Sequence, residues 1–214
     1  MQAMMPAELA SGDWSAGGLA LALIVGYLIG AIPVGVILAR IFGLGDLRRI
    51  GSGNIGATNV LRTGNRRAAA LTLVLDALKG AVPVLMFSPD PAAQAAAIGA
   101  MLGHCLSFWV GFRGGKGVAT FLGIMLALAP LAGLAICATW LAGAALTRIS
   151  SVGALAATAA APLWLFLSGN NEAVAVAILL GAWVWLRHAQ NIVRLLKGTE
   201  PRIGAGRKQP DRPD

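Results

Sequence analysis

Apolar runs close to twenty residues long constrain this chain more than any other feature. Leu19 to Phe42, Ala68 to Phe87, Ala92 to Val110, Val152 to Leu167 (somewhat short) and Ala173 to Val193 carry few charges. A helix of about 20 such residues crosses the hydrocarbon core of a bilayer. Of 214 residues, 57% are hydrophobic and only 12% charged, about half the charge with which a soluble domain keeps its surface wet. A soluble enzyme is excluded. So is a disordered chain, which would be poor in apolar residues. Residues 1–18 include Glu8 and Asp13 but no Lys or Arg. Without a basic n-region, the first run reads as a permanent anchor rather than a cleaved signal. Cys105 and Cys137 both sit in apolar stretches, which predicts two core thiols and no disulfide framework.

The net charge of +8 could point to nucleic acid, but the placement of the cations points to a membrane instead. Arg40, Arg48, Arg49, Arg62, Arg66 and Arg67 flank the first long loop, which the positive-inside rule places in the cytoplasm. The loop at 88–91 has Asp90 and no cation, as expected outside. Val118 to Leu146 is too short for two ideal spans and long for one. Read as a hairpin of two short helices turning near Pro130, it leaves every cation except Lys79 at or near the inner face. The expectation is an all-α integral membrane protein with seven transmembrane helices, the N-terminus periplasmic and the C-terminus cytoplasmic. It divides into a periplasmic segment 1–18, one membrane-embedded domain 19–200 and a basic cytoplasmic tail 201–214. No internal repeat is evident, which argues against a transporter built from inverted halves.

The inner loops hold the unusual residues. Gly51-Ser-Gly-Asn-Ile-Gly-Ala-Thr-Asn-Val-Leu-Arg62 combines glycines that permit close backbone approach with the donors Ser52, Asn54, Thr58, Asn59 and Arg62, a pattern suited to an anion nest. Its glycines match GxGxxG, yet no strand precedes them, so a dinucleotide site fails its own context. A plain flexible connector is the bland alternative. Asp76 and Lys79, three apart in an apolar run, share a helix face. They read as a structural ion pair or as a lysine reaching for an anion. His104 lies deep in the third run and reads as a hydrogen-bonded packing residue. Arg113-Gly-Gly-Lys116-Gly makes a cationic turn. It is no Walker A loop, because Gly117 stands where a magnesium-binding Ser or Thr is needed.

His188 and Asn191 share a helix face near the end of the last run, and Ser151 adds a hydroxyl from the remaining inner loop. Glu200, the acidic residue nearest His188 in sequence, is twelve positions on, past Gly198 and just before Pro201, and reads as lying beyond the final helix, without a fitting spacing to orient His188. No Ser-His-Asp or Cys-His pair suggests covalent catalysis, and no cluster has metal-ligand spacing. Donors of this kind above apolar helices suit a substrate with an anionic head and a lipid tail. Direct transfer, with phosphates held by fixed dipoles and cations, fits them. So does a membrane carrier or binding protein for an organic phosphate.

At these motifs the chain resembles the bacterial acyl-phosphate:glycerol-3-phosphate acyltransferase (PlsY) family, from Leu19 to Glu200. The carriers of the resemblance are Gly51 to Arg62, Asp76-Ala-Leu-Lys79-Gly80, Gly103-His104 through Thr120, and Arg187-His188 to Leu195. Arg113 stands where lysine is common, a change that keeps the charge. The resemblance implies a bacterial inner-membrane enzyme, its active site facing the cytoplasm, that makes 1-acyl-glycerol 3-phosphate and phosphate in the first step of phospholipid synthesis. It implies that Ser52, Gly53, Asn54, Thr58 and Asn59 line an acyl-phosphate pocket, and that Arg62, Lys116, Ser151, His188 and Asn191 bind glycerol 3-phosphate. His188 and Asn191 are the catalytic candidates, in substrate-assisted chemistry with no covalent nucleophile, metal or cofactor. The roles of Asp76, Lys79 and His104 stay open. The soluble enzyme that makes acyl phosphate is a candidate partner; nucleic acid is not. The proton of the attacking hydroxyl has two acceptors open to it, His188 and the departing phosphate, of which the second is favoured. The His-x4-Asp pair of other glycerol-phosphate acyltransferases is absent: Trp109 and Val193 stand five after His104 and His188.

Overall fold

The structure is a computed structural model that describes residues 15–88 and 91–204. Most of the segment assigned to 1–18, Asp90, and the tail cations Arg207, Lys208 and Arg212 lie outside the described residues. Among those described, all regular structure is helical: α1 (Ala16–Gly30), α2 (Val34–Ile41), α3 (Ala57–Leu61), α4 (Arg66–Met86), α5 (Ala92–Cys105), α6 (Val118–Leu128), α7 (Pro130–Thr147), α8 (Ser150–Leu167), α9 (Val174–Arg187) and α10 (Ala189–Leu196), with three short 3-10 turns.

The first apolar run forms two helices, α1 and α2, rather than one. Pro33 is the cause: it supplies no N–H, and its ring disfavours helical geometry at Ile32. The Ile32 carbonyl accepts from Lys79 Nζ at 2.9 Å, so a buried lysine satisfies backbone at the break. The hairpin over 118–147 turns at Ala129 and Pro130 as expected, but only its first arm is short. α6 has 11 residues and α7 has 18. Pro130 opens α7, where its missing N–H is harmless, and the helix then runs to Thr147. The rise of α6 is about 16 Å, roughly half a bilayer core. It is sheltered from lipid, with Phe121, Ile124 and Met125 fully buried in the main core cluster.

Small residues set the helix pairings. Cβ atoms added at Gly26 and Gly30 of α1 would strike the backbone of Ala96 and Ala100, and those at Gly99 and Gly103 of α5 would strike Leu23 and Tyr27. The numbers rise together, so α1 and α5 run parallel at the close approach that small residues allow. Gly80 meets Thr120 and Gly123 meets Ala77, so α4 and α6, which both leave the end that holds residues 62 and 116, also pack at close approach. Gly143 meets Gly153, and Trp164 donates to Thr139 at 3.1 Å, which makes α7 and α8 an antiparallel hairpin. These pairings bring the 42–65, 106–117, 148–149 and 188–204 segments to one end of the bundle. At the other end, Gln94 donates to the Glu172 carbonyl at 3.0 Å.

Every described Lys and Arg except Lys79 lies at the first end. Five helical segments are long and apolar enough to cross a membrane, or six if the pair bent by 62° at His188 counts as one. Leu28, Leu85, Leu131, Leu163 and Leu186 are all more than half exposed on the flanks, as lipid-facing side chains are and as the surface of a soluble monomer is not. Of the two thiols, Cys105 is fully buried, whereas Cys137 is only half-buried on α7. That corrects the core assignment of Cys137, because α7 packs along one side only.

Candidate active site

At the loop-rich end a cavity of about 90 Å³ is walled by four segments. The first is the glycine loop. Gly51 and Gly53 adopt left-handed backbone, at φ +54 and +69, and a Cβ on Gly51 would press against Arg62 and Asn59. Asn59, fully buried, braces the loop: its Oδ1 accepts from Ser52 N at 3.2 Å and Arg62 Nη1 at 3.4 Å, and its Nδ2 donates to the Leu47 carbonyl at 2.8 Å. The Thr58 and Ser150 hydroxyls lie 2.9 Å apart, joining α3 to the start of α8.

The second wall is the turn at 113–117. Its Gly114 and Gly115 amides donate to the carbonyls of Cys105 and His104, both at 3.1 Å. Arg187, at the end of α9, donates to the carbonyls of Gly114 and Gly115 at 3.2 Å. A side chain at 115 would collide with the His104 imidazole. Held this way, the turn presents Lys116, whose ammonium donates to Asn191 Oδ1.

The third wall is the kink between α9 and α10. His188 Nδ1 lies 2.8 Å from the Val184 carbonyl. A carbonyl only accepts, so Nδ1 carries the proton and Nε2 is the nitrogen left for another partner. Asn191 donates to Glu200 Oε1. Glu200 is the part that the sequence reading set aside. Gly198 turns left-handed at φ +67, Thr199 N returns to the Arg194 carbonyl at 2.8 Å, and the chain folds back. Glu200 then accepts from Ser151 Oγ at 2.8 Å and Arg194 Nε at 2.7 Å, and Ile203 N closes onto the Arg148 carbonyl at 2.6 Å. A carboxylate two residues past a glycine helix stop, in a segment otherwise rich in cations, was the signal available.

The floor is formed by Asp76 and His104. Asp76 Oδ1 pairs with Lys79 at 2.8 Å, without hydrogen-bond alignment, and lies 3.7 Å from His104 Nδ1. Thus Ser52, Asn54, Thr58, Asn59, Arg62, Lys116, Ser151, His188, Asn191, Asp76 and His104 border one cavity, and Ser150, Glu200 and Pro201 join them. Gly53 and Lys79 do not border it. Gly53 shapes the loop from behind, and Lys79 is spent on Asp76 and the Ile32 carbonyl.

The cavity is bordered by two cations, Arg62 and Lys116, and two acids, Asp76 and Glu200, and each acid has its own cation outside the lining, Lys79 and Arg194. Burial pulls the Lys116 ammonium down to about 8; Glu200 opposes this, while Arg194, Arg62 and Arg187 add to it. Arg62 is lowered for the same first reason, burial, partly offset by Glu200. Burial pushes the Glu200 carboxyl up, yet hydrogen bonds from Asn191, Ser151 and Arg194 together hold it below its ordinary value. With both acids paired, Arg62, Lys116 and the fixed donors are left to face the cavity, the arrangement that holds phosphate oxygens. Among the described residues no cluster of His, Cys, Asp or Glu could hold a metal ion.

An all-helical bundle with apolar flanks and a donor-lined cavity at its loop-rich end defines the class: an integral membrane protein. The family model described as glycerol-3-phosphate acyltransferase matches residues 20–198, and the chain belongs to that family. The glycerol-3-phosphate acyltransferase of Roseobacter denitrificans is 59% identical over 189 residues, covering 87% of this chain and 94% of that one. That of Cereibacter sphaeroides is 56% identical over 184 residues, covering 85% and 88%. The crystal structure of PlsY, an integral membrane glycerol 3-phosphate acyltransferase in its glycerol 3-phosphate form, superposes with a TM-score of 0.82 at 38% identity, covering 87% of this chain and 96% of that one. Its lysophosphatidic acid form gives 0.79 at the same identity, covering 87% and 95%.

Proposed function

We propose that this membrane enzyme, which acylates glycerol 3-phosphate to lysophosphatidate, takes its acyl group from an acyl phosphate and holds both phosphates in the one cavity. The observation that carries the reading is the convergence of the glycine loop and the Lys116–Asn191 pair on that cavity. In this assignment Ser52, Asn54, Thr58 and Asn59 serve the acyl phosphate. Arg62, Lys116, Ser151, His188 and Asn191 serve glycerol 3-phosphate, with Glu200 orienting Asn191 and Ser151.

The step is a direct displacement. The C1 hydroxyl oxygen attacks the acyl carbon, the bond from that carbon to the phosphate oxygen breaks, and the hydroxyl proton passes to the departing phosphate. The products are the 1-acyl ester and inorganic phosphate. The protein holds the hydroxyl about 3 Å from the carbon and stabilises developing charge with prealigned donors. A mixed anhydride is a good acyl donor, so no nucleophilic residue is needed.

Orientation completes the reading: seven crossings, α6 among them although short, with the site on the cytoplasmic face of the inner membrane. The cations gathered at the site's end support it. The carrier alternative would place its donors near the midplane; here they line one end. The deciding assay gives purified protein glycerol 3-phosphate with either acyl phosphate or an acyl thioester. Lysophosphatidate formed one-to-one with phosphate, from acyl phosphate alone, is the expected result. Turnover with the thioester alone would overturn the donor assignment.

A further inference from the structure

A second cavity, of about 810 Å³, opens at the same end between α2, the 43–48 segment and the turn at Phe108–Val110. No residue borders both cavities. Its floor is apolar, with Val36 and Ala39 of α2, Ile55 and Val110, and its rim carries Arg40, Arg48 and Arg113 against a single acid, Asp46. Arg48 is fixed in place: its Nη2 donates to the Val110 carbonyl at 3.2 Å and its backbone N–H to Asp46 Oδ1 at 3.0 Å. Arg40 and Arg113 are exposed, and neither makes an ion pair among the described residues. Trp109 at the rim is 66% exposed, and Ile41 and Phe112, next in chain to Arg40 and Arg113, are 70% and 61% exposed.

The size is that of a small-molecule site, and the composition is specific. A basic pocket at the loop end of membrane helices, beside exposed aromatic and aliphatic side chains, matches a phosphate headgroup with its glycerol and first acyl carbons beneath it. The excess of guanidinium over carboxylate selects a net negative headgroup over a zwitterionic one. The exposed apolar rim makes the bilayer the source of the occupant rather than the aqueous phase. We infer that this groove is a binding site for an anionic phospholipid of the membrane, separate from the catalytic cavity. The two are still mechanically joined: the Leu47 carbonyl, in the wall of the groove, accepts from the Asn59 amide that braces the glycine loop.

The test uses the purified full chain in neutral detergent, titrated with phosphatidylglycerol or phosphatidylcholine, with retained lipid counted by native mass spectrometry. Phosphatidylglycerol should be retained about tenfold more tightly, the scale of one or two surface cations acting on a headgroup. Arg40→Gln/Arg113→Gln should lose most of that preference. Arg66→Gln/Arg67→Gln, which removes two exposed cations at the same end outside the groove, should keep it. All three proteins should elute and melt alike, and should the double variant misfold, Arg40→Gln alone carries the comparison. Equal retention of the two lipids by the unmodified chain would overturn the assignment. So would equal losses in the two double variants, which would mean diffuse attraction. Retention of lysophosphatidate without phosphatidylglycerol would likewise overturn it, reassigning the groove to the product.

Discussion

The Ser151 hydroxyl donates to the Glu200 carboxylate at 2.8 Å, so the first turn of α8 and the chain beyond α10 meet over the site. The same carboxylate accepts from Asn191 Nδ2 and Arg194 Nε. With its N–H directed at Glu200, Asn191 has its carbonyl oxygen free to receive Lys116, and the amide orientation follows from the network. Glu200→Gln keeps the shape but removes the charge and one acceptor oxygen, leaving donors facing donors. The expected result is a KM for glycerol 3-phosphate raised about tenfold and a lower melting temperature, since a hydrogen bond to a charged group is worth about 1.5–3 kcal/mol. Glu200→Asp should recover part of both. Unchanged KM and melting in the glutamine variant would reduce Glu200 to a bystander.

The glycine loop should separate direct contacts from support. Asn54→Ala removes a side chain bordering the cavity and should cut turnover by about tenfold or more, toward the roughly 10²–10³ of one lost transition-state donor, with normal insertion. Thr58→Val removes the partner of Ser150 as well, and should be at least as severe. Gly53→Val works differently. Gly53 does not border the cavity, but its φ of +69 is costly for a branched residue, so the loss should come with a less stable protein. Full activity in Asn54→Ala and Thr58→Val together would return the loop to a connector.

Much of this was legible before any fold was known. Apolar run length reported the spans, because a bilayer imposes one length on every helix. One-sided cations reported that the loops share an end. The split at Pro33 escaped the reading because hydropathy averages over a proline; the freed carbonyl's partner, Lys79, lies far away in sequence. That contact supports the structural reading of Lys79, since its ammonium is engaged at both Ile32 and Asp76. Glu200 escaped because pattern reading stops at the last helix, whereas its burial depends on a left-handed Gly198 and on hydroxyl and amide donors from α8 and α10.

Lys116 should leave a mark on the pH profile. Burial, the main cause, pulls its ammonium down to about 8. The charged form, which binds phosphate, is therefore present below that pH and lost above it. The kcat/KM for glycerol 3-phosphate, which reports the free enzyme, should fall as pH rises through about 8. Lys116→Arg should move that descending limb beyond the measurable range, because a guanidinium stays charged. A limb unmoved in the arginine variant would belong to another group.

Orientation can be read from outside the cell. A cysteine introduced at Asn170, in the turn before α9, should react with an impermeant thiol reagent added to spheroplasts, and one at Gly64, in the first loop, should not. The two positions lie at opposite ends of the bundle. Labelling at 64 from outside would sink the proposed topology.

His188 discriminates a binding role from a catalytic one. If its free Nε2 only accepts a hydrogen bond from the substrate, His188→Gln should raise KM for glycerol 3-phosphate and leave kcat within a few-fold, the pattern of lost uniform binding. The pH profile should then keep its shape. If His188 is the general base, kcat should drop by roughly 10²–10⁴-fold and an imidazole limb should vanish. The geometry favours the first outcome. A histidine base gains strength from a carboxylate at its second nitrogen, and here that position is taken by the neutral Val184 carbonyl at 2.8 Å. The nearby carboxylate, Glu200, is committed to Ser151, Asn191 and Arg194. The leaving phosphate, by contrast, forms beside the attacking hydroxyl and gains basicity as the anhydride bond breaks. A large loss of kcat at unchanged KM would refute proton transfer to phosphate and make His188 the base.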